Sequence, residues 1–148
     1  MVKDIEKGKI IGVIHALPKI FSDRILNKKG DIFLKYVSFQ PTKKSKIKLQ
    51  EGMKLYIYES KSSNIVGEAI IQNIDFLTYK DILNKSYKRL MLTNKELEVY
   101  CGERTGRKAM LLFLNKVKKY TSPIKITRKV TMGGLYVTKD NINQLKLR

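Results

Sequence analysis

Apolar and polar positions alternate most regularly between residues 53 and 76. There Leu55 and Ile57 alternate with Tyr56 and Tyr58, a polar stretch runs from Glu59 to Asn64, and a β-branched run fills 65–71. That pattern predicts two strands joined by a polar turn. Gly67 interrupts the second strand, where a glycine marks a bulge, a bend at a barrel corner, or a close approach to the backbone. Residues 9–15 form a short apolar run bounded by Gly8 and Pro18, which predicts a buried first strand. Between 18 and 29, Ile20, Phe21, Ile25 and Leu26 fall at helical spacing, and Gly30 marks the stop. Residues 31–39 return to strand alternation. Ile32, Leu34, Tyr36 and Ser38 share one face; Phe33, Lys35, Val37 and Phe39 share the other. Lys35 is the odd member of an apolar face, so it either snorkels from a strand end or points a cation into a groove.

Residues 41–50 read as a polar loop carrying Lys43, Lys44, Lys46 and Lys48. Two capping signals follow the hairpin. Thr93 with Glu96 is a full capping box and Thr78 with Asp81 a weaker relative, predicting short helices over 79–85 and 94–100. Residues 109–117 predict another central strand, 124–126 a short edge segment, and 135–137 a last strand after the Gly133-Gly134 turn. Thr138 is expected to cap a terminal helix through Leu145. The order of elements predicts an α+β fold: a small, mainly antiparallel β pseudo-barrel with short flanking helices, formed as one domain over 1–148.

Composition sharpens this picture in one respect. The 148 residues carry 31 Lys and Arg against 13 Asp and Glu, a formal net charge of +18. The excess is uneven: residues 101–148 hold 12 basic and 2 acidic side chains, while the hairpin is slightly acidic. Concentrated positive charge focuses potential and draws phosphates, so a polyanionic partner is expected. No apolar run approaches the length of a membrane span, and the N-terminus has no apolar targeting core, so a cytoplasmic protein without membrane contact is expected.

Catalytic apparatus is thin. His15 is the single histidine and Cys101 the single cysteine, which leaves no histidine- or cysteine-rich metal site and no internal disulfide. No phosphate-cradling glycine motif occurs, and no cofactor is expected. Glu59 and Glu68 flank the hairpin turn, where they could divide acid and base roles across the two strands or form strand-end ion pairs with lysines. Tyr56, Tyr58, Tyr36, Tyr120 and Tyr136 offer rings on which unpaired bases could stack.

The run Gly52-Met-Lys-Leu-Tyr-Ile-Tyr-Glu-Ser, followed by Ile65-Val-Gly-Glu-Ala-Ile-Ile, resembles the central strands of PUA-like domains, and in particular their ASCH branch. With Val13-Ile-His-Ala-Leu-Pro-Lys, Pro123-Ile-Lys and Thr131-Met-Gly-Gly, it resembles an uncharacterised, mainly archaeal domain family of that superfamily. The resemblance implies a pseudo-barrel with a cleft between sheet and helices, and a role in RNA modification, translation or RNA processing. RNA rather than DNA is implied by the resemblance alone. ASCH relatives carry Lys, Glu and Arg in a G-x-K-x-x-E-x-R motif before the hairpin. The equivalent stretch here, from Lys29 to Tyr36, keeps a basic residue in Lys35 and lacks the acid.

These readings converge on an RNA-binding domain rather than an enzyme. Lys35 and Tyr58 are expected at the cleft, and Arg104, Arg107, Lys108, Arg128 and Lys129 on phosphates. An ASCH-like amidohydrolase or ribonuclease using Glu59, Glu68 or Lys35 is the first alternative, and a basic protein-interaction module the second. The sequence leaves the oligomeric state open.

Overall fold

A computed structural model describes residues 10–17, 19–27, 30–36, 50–85, 92–104, 106–130 and 134–147. The lysine loop with Lys43, Lys44, Lys46 and Lys48 lies outside these residues, as do the expected strand positions beyond Tyr36. The described elements are β1 (Ile10–Ala16), α1 (Lys19–Asn27), β2 (Ile32–Lys35), β3 (Lys54–Glu59), β4 (Asn64–Leu77), α2 (Tyr79–Lys85), α3 (Asn94–Cys101), a 3-10 turn (Gly102–Arg104), β5 (Ala109–Lys125) and β6 (Leu135–Thr138).

The strands form one sheet in the order β2-β5-β4-β3-β1-β6. β1 runs parallel to β3 and every other described pair is antiparallel. This is the expected α+β, mainly antiparallel architecture, curled so that β2 meets β1 across the interior. Their meeting is made by side chains. The His15 and Phe33 rings lie 5.4 Å apart, and Lys35 Nζ donates to the Ala16 carbonyl at 2.7 Å.

Strand alternation sorts the apolar residues into three clusters. Val13, Phe33, Leu55, Ile57, Ile71 and Leu112 fill the barrel interior. Ile14, Tyr56, Tyr58, Ile65 and Tyr120 lie on the outer face under Leu145 and Leu147 of the C-terminal segment. Ile32, Leu34 and Tyr36 pack against Ile82, Leu97 and Cys101 of α2 and α3. Both helix starts follow their capping signals. Thr93 Oγ1 accepts from the Glu96 N–H at 3.1 Å while Glu96 accepts from the Thr93 N–H at 3.0 Å.

Gly67 combines a bulge with a close approach. Beside it, β4 carries an extra residue against β3, while against β5 the extra residues lie on β5. A Cβ there would lie 2.6 Å from Leu26 Cδ2 of α1 and 2.7 Å from the Lys118 carbonyl of β5. The leucine can rotate away, but the carbonyl belongs to a paired strand. Gly67→Ala is therefore expected to cost about 1–3 kcal/mol of overpacking, read by urea unfolding; a loss too small to measure would show that α1 and β5 yield freely.

Two expectations about the C-terminal third are corrected. The segments at 109–117 and 124–126 are one continuous strand, because the chain bulges instead of ending: Lys116 takes a left-handed φ of 51° and pairing with β4 resumes beyond it. Pro123 is tolerated because this part of β5 is an edge among the described strands. The terminal helix is replaced by successive turns. Thr138 and Asn141 cap each other reciprocally, at 2.8 and 3.2 Å. That is a capping arrangement at the start of the turns, and the left-handed Lys146 (φ 57°) ends them.

Candidate functional site

The apolar stripe of α1 does not sink wholly into the barrel. Phe21, Arg24 and Ile25 form one wall of a groove whose floor is Ile32 and Leu34 of β2 and whose far wall is Tyr100 of α3, with Leu17 and Leu92 completing the lining. The space between these walls, open solvent included, totals about 330 Å³, and only a small part of it is enclosed.

Aromatic rings join the two walls and continue behind the far one. Phe21 meets Tyr100 edge to face at 6.0 Å, and Tyr100 lies 5.8 Å from Tyr36. The Arg104 guanidinium sits 4.3 Å from the Tyr36 centroid and 5.1 Å from that of Tyr100, and donates to the Tyr100 and Cys101 carbonyls. Burial pushes the Tyr36 and Tyr100 hydroxyls and the Cys101 thiol above their ordinary pKa, so all three stay protonated at neutral pH.

The two walls are tied together by one residue with two tasks. Glu96, which caps α3, also receives both guanidinium nitrogens of Arg24 from α1, at 2.9 and 2.8 Å. Its hydrogen bonds from Arg24, first, and from Thr93 hold the carboxyl down at about 2. The groove thus keeps its width through a bidentate pair spanning 72 residues of sequence.

Lys35 lies on the other face of β2 from the groove floor, at the end of the barrel interior and 8% exposed. Burial lowers its pKa. Of the two readings for this residue, the structure favours neither a solvent-reaching stem nor an open cation: the ammonium closes the seam between β2 and β1. His15 stands beside it, buried against Phe33 and Gly134, and among the described residues its Nδ1 has no hydrogen-bond partner. Burial, with the nearby Lys35 charge second, lowers its pKa to about 3, so the ring is neutral at physiological pH.

The remaining candidates are dispersed. Tyr58 is 8% exposed with its ring in the outer-face cluster, and only its backbone approaches the barrel end, where its carbonyl accepts from the Leu17 N–H at 3.1 Å. Glu59 and Glu68 do not form a carboxylate pair. Glu68 sits opposite Tyr56 and Glu59 opposite Asn64; Tyr56 and Tyr58 share the outer face, so Glu59 points to the other. Glu68 is engaged by Tyr120 Oη at 2.8 Å and Lys54 Nζ at 3.0 Å. Arg104, Arg107 and Lys108 precede β5 while Arg128 and Lys129 follow it, so a 17-residue strand separates the two groups. Arg107, Lys108, Arg128 and Lys129 are exposed. Among the described residues no cluster of His, Cys, Asp and Glu is arranged to hold a metal, and no helix is long and apolar enough to cross a membrane.

Phe21, Arg24, Glu96 and Tyr100 were not legible as site residues. Phe21 reads as part of a core stripe and Glu96 as a cap, and nothing local says that they face each other.

The curled, mainly antiparallel sheet flanked by short helices is the expected PUA-like fold. Crystal structures of an ASCH protein from Zymomonas mobilis superpose with a TM-score of 0.73: the unaltered protein at 13% identity, covering 92% of this chain and 94% of that one, and a single-residue variant at 14%, covering 94% and 96%. A model of the family described as a domain of unknown function, DUF365, matches residues 10–139, and the chain belongs to that family. An uncharacterized protein of Methanocaldococcus jannaschii is 27% identical over 104 residues, covering 63% of this chain and 96% of that protein.

Proposed function

We propose that the protein is an RNA-binding PUA-like domain acting in RNA modification, translation or RNA processing, and that it takes an unpaired base into the groove between α1 and α3. The observation that carries this reading is the groove itself. It has an apolar floor, two aromatic walls and a guanidinium stacked behind one of them. A base has two apolar faces and a polar edge, so it gains from stacking on such a wall whatever its identity, by about 1–3 kcal/mol. The net charge of +18 supplies the attraction for the flanking phosphates.

Fluorescence anisotropy with a labelled unstructured RNA tests the proposal. Affinity is expected to fall steeply with salt, and Tyr100→Ala to weaken binding about 5- to 150-fold, the equivalent of one lost stack, while Tyr100→Phe keeps most of it. Both variants are first matched for thermal stability, since Tyr100 also packs on Tyr36. Binding unchanged in a folded Tyr100→Ala protein would remove the groove from RNA recognition, and a flat salt dependence would remove RNA altogether.

A further inference from the structure

β2 pairs with β5 only over residues 110–113, so beyond Phe113 the strand has β4 on one side and no described strand on the other. Along this free edge Lys116, Lys118, Lys119 and Lys125 are exposed, and Arg128 and Lys129 follow in the open chain. From Arg104 to Lys139 the sequence holds ten basic residues and no acidic one. Glu68, the carboxylate across from Lys118, is already held by Tyr120 and Lys54. Glu68 also attracts Lys118 and cancels part of the potential at that lysine, but the segment itself has no acidic residue to cancel the rest.

The edge begins beside the groove. Lys119 Nζ lies 3.0 Å from Asn27 Oδ1, and Asn27 ends the helix whose Arg24 lines the groove. Three residues of helix separate the two, about 4.5 Å of axial rise. The bulge at Lys116 and the regular pleat after it place Lys118 and Lys119 on opposite faces of the strand. Charge is thus offered on both sides of a narrow ridge, and a ridge one strand wide suits one flexible backbone better than the two rigid backbones of a duplex.

We propose that the free edge of β5, through Lys116, Lys118, Lys119 and Lys125, is the track along which the backbone of a single-stranded RNA runs from the base held in the groove. This rests on the RNA-binding reading above and assigns its phosphate contacts to residues that the sequence did not single out. Lysines on an edge strand also discourage sheet-to-sheet pairing, and that protective role by itself predicts no effect on RNA.

The test compares salt dependence of binding to a labelled unstructured RNA of about 16 nucleotides for the wild type, for Lys116→Glu/Lys118→Glu/Lys125→Glu, and for Lys85→Glu/Lys95→Glu/Lys139→Glu, which changes the same charge at other exposed sites. The log–log slope of the edge triple is expected to be shallower by about 2, since each phosphate contact on a single strand contributes about 0.7, with a smaller change in the second triple. If the glutamate triple aggregates, the Lys→Gln triple carries the same expected slope. An unchanged slope in the edge triple, with wild-type binding intact, overturns this proposal and leaves the groove reading standing. Equal changes in both triples reduce the effect to net charge and overturn it as well. Displacement of the RNA by polyglutamate at equal charge concentration would assign the edge to an acidic protein instead. A flat wild-type slope sinks both proposals together.

Discussion

Lowering the pH from 6.5 to 3 is expected to remove up to about 4–5 kcal/mol of folding stability through His15 alone. In the fold its pKa lies near 3, against 6.5 when the chain is unfolded, and each pH unit of difference is about 1.36 kcal/mol. Between those two values the unfolded chain binds a proton that the folded protein does not, so stability is fully present above 6.5 and is lost as the pH falls towards 3. The cause is structural. The imidazole is packed on Phe33, on the backbone of Gly134 and near the Lys35 ammonium, and no described carboxylate faces it to receive a positive charge. The carboxylates whose pKa is lowered, Glu96 and Glu68, give up their contributions only below about 4.5. The interval from 6.5 to 4.5 therefore isolates the histidine. Urea unfolding across it is expected to show a slope approaching 1.4 kcal/mol per pH unit in the wild type and a flat profile in His15→Leu. Parallel profiles would mean that His15 reaches solvent or finds a partner.

Truncation of Phe33 is expected to cost about 3–5 kcal/mol, the range for emptying a buried phenylalanine site. Phe33 has no exposed surface, and it stands where the barrel is held shut by side chains instead of a hydrogen-bonded ladder. β2 is anchored to β5 along one edge, while its contact with β1 includes the tilted Phe33–His15 ring pair and the Lys35–Ala16 hydrogen bond. Removing the ring leaves a cavity at the seam and deprives His15 of the face it packs on. Because Ile32 and Leu34 on the opposite face of β2 floor the groove, Phe33→Ala is also expected to weaken RNA binding more than its distance from the groove suggests. Phe33→Leu fills most of the space and should recover most of the stability. A Phe33→Ala protein within about 1 kcal/mol of wild type, well below the usual range for such a truncation, would show that the seam collapses around the gap.

Much of the scaffold was readable because its signals are local. Alternation across residues 53–76 defines a hairpin, Thr93 and Glu96 define a helix start, and the alternation of β2 already placed Lys35 among apolar residues. The break expected within β5 failed because Pro123 and the polar residues before it are ordinary punctuation in a paired strand but cost little on a free edge. Of the two readings of Glu59 and Glu68, the ion pair with a lysine holds for Glu68, which meets Lys54. Glu59 lies opposite Asn64 and Glu68 opposite Tyr56, so the two acids stand three positions apart along β3 and on opposite faces.

For the sites, the division is sharper. Charge and its concentration in the last third are properties of the chain, and they pointed to a polyanion before any fold was in hand. Which cations face outwards together is a property of packing. Arg104 is spent on two tyrosine rings, Lys35 on a carbonyl, and the exposed row appears on a strand edge that exists only because β2 is too short to cover it. Local pattern determines periodicity, caps and turns, since these depend on residues a few positions apart. The groove, the barrel seam and the basic edge join residues up to 72 positions apart, and such juxtapositions are decided only when the sheet curls and the helices dock against it.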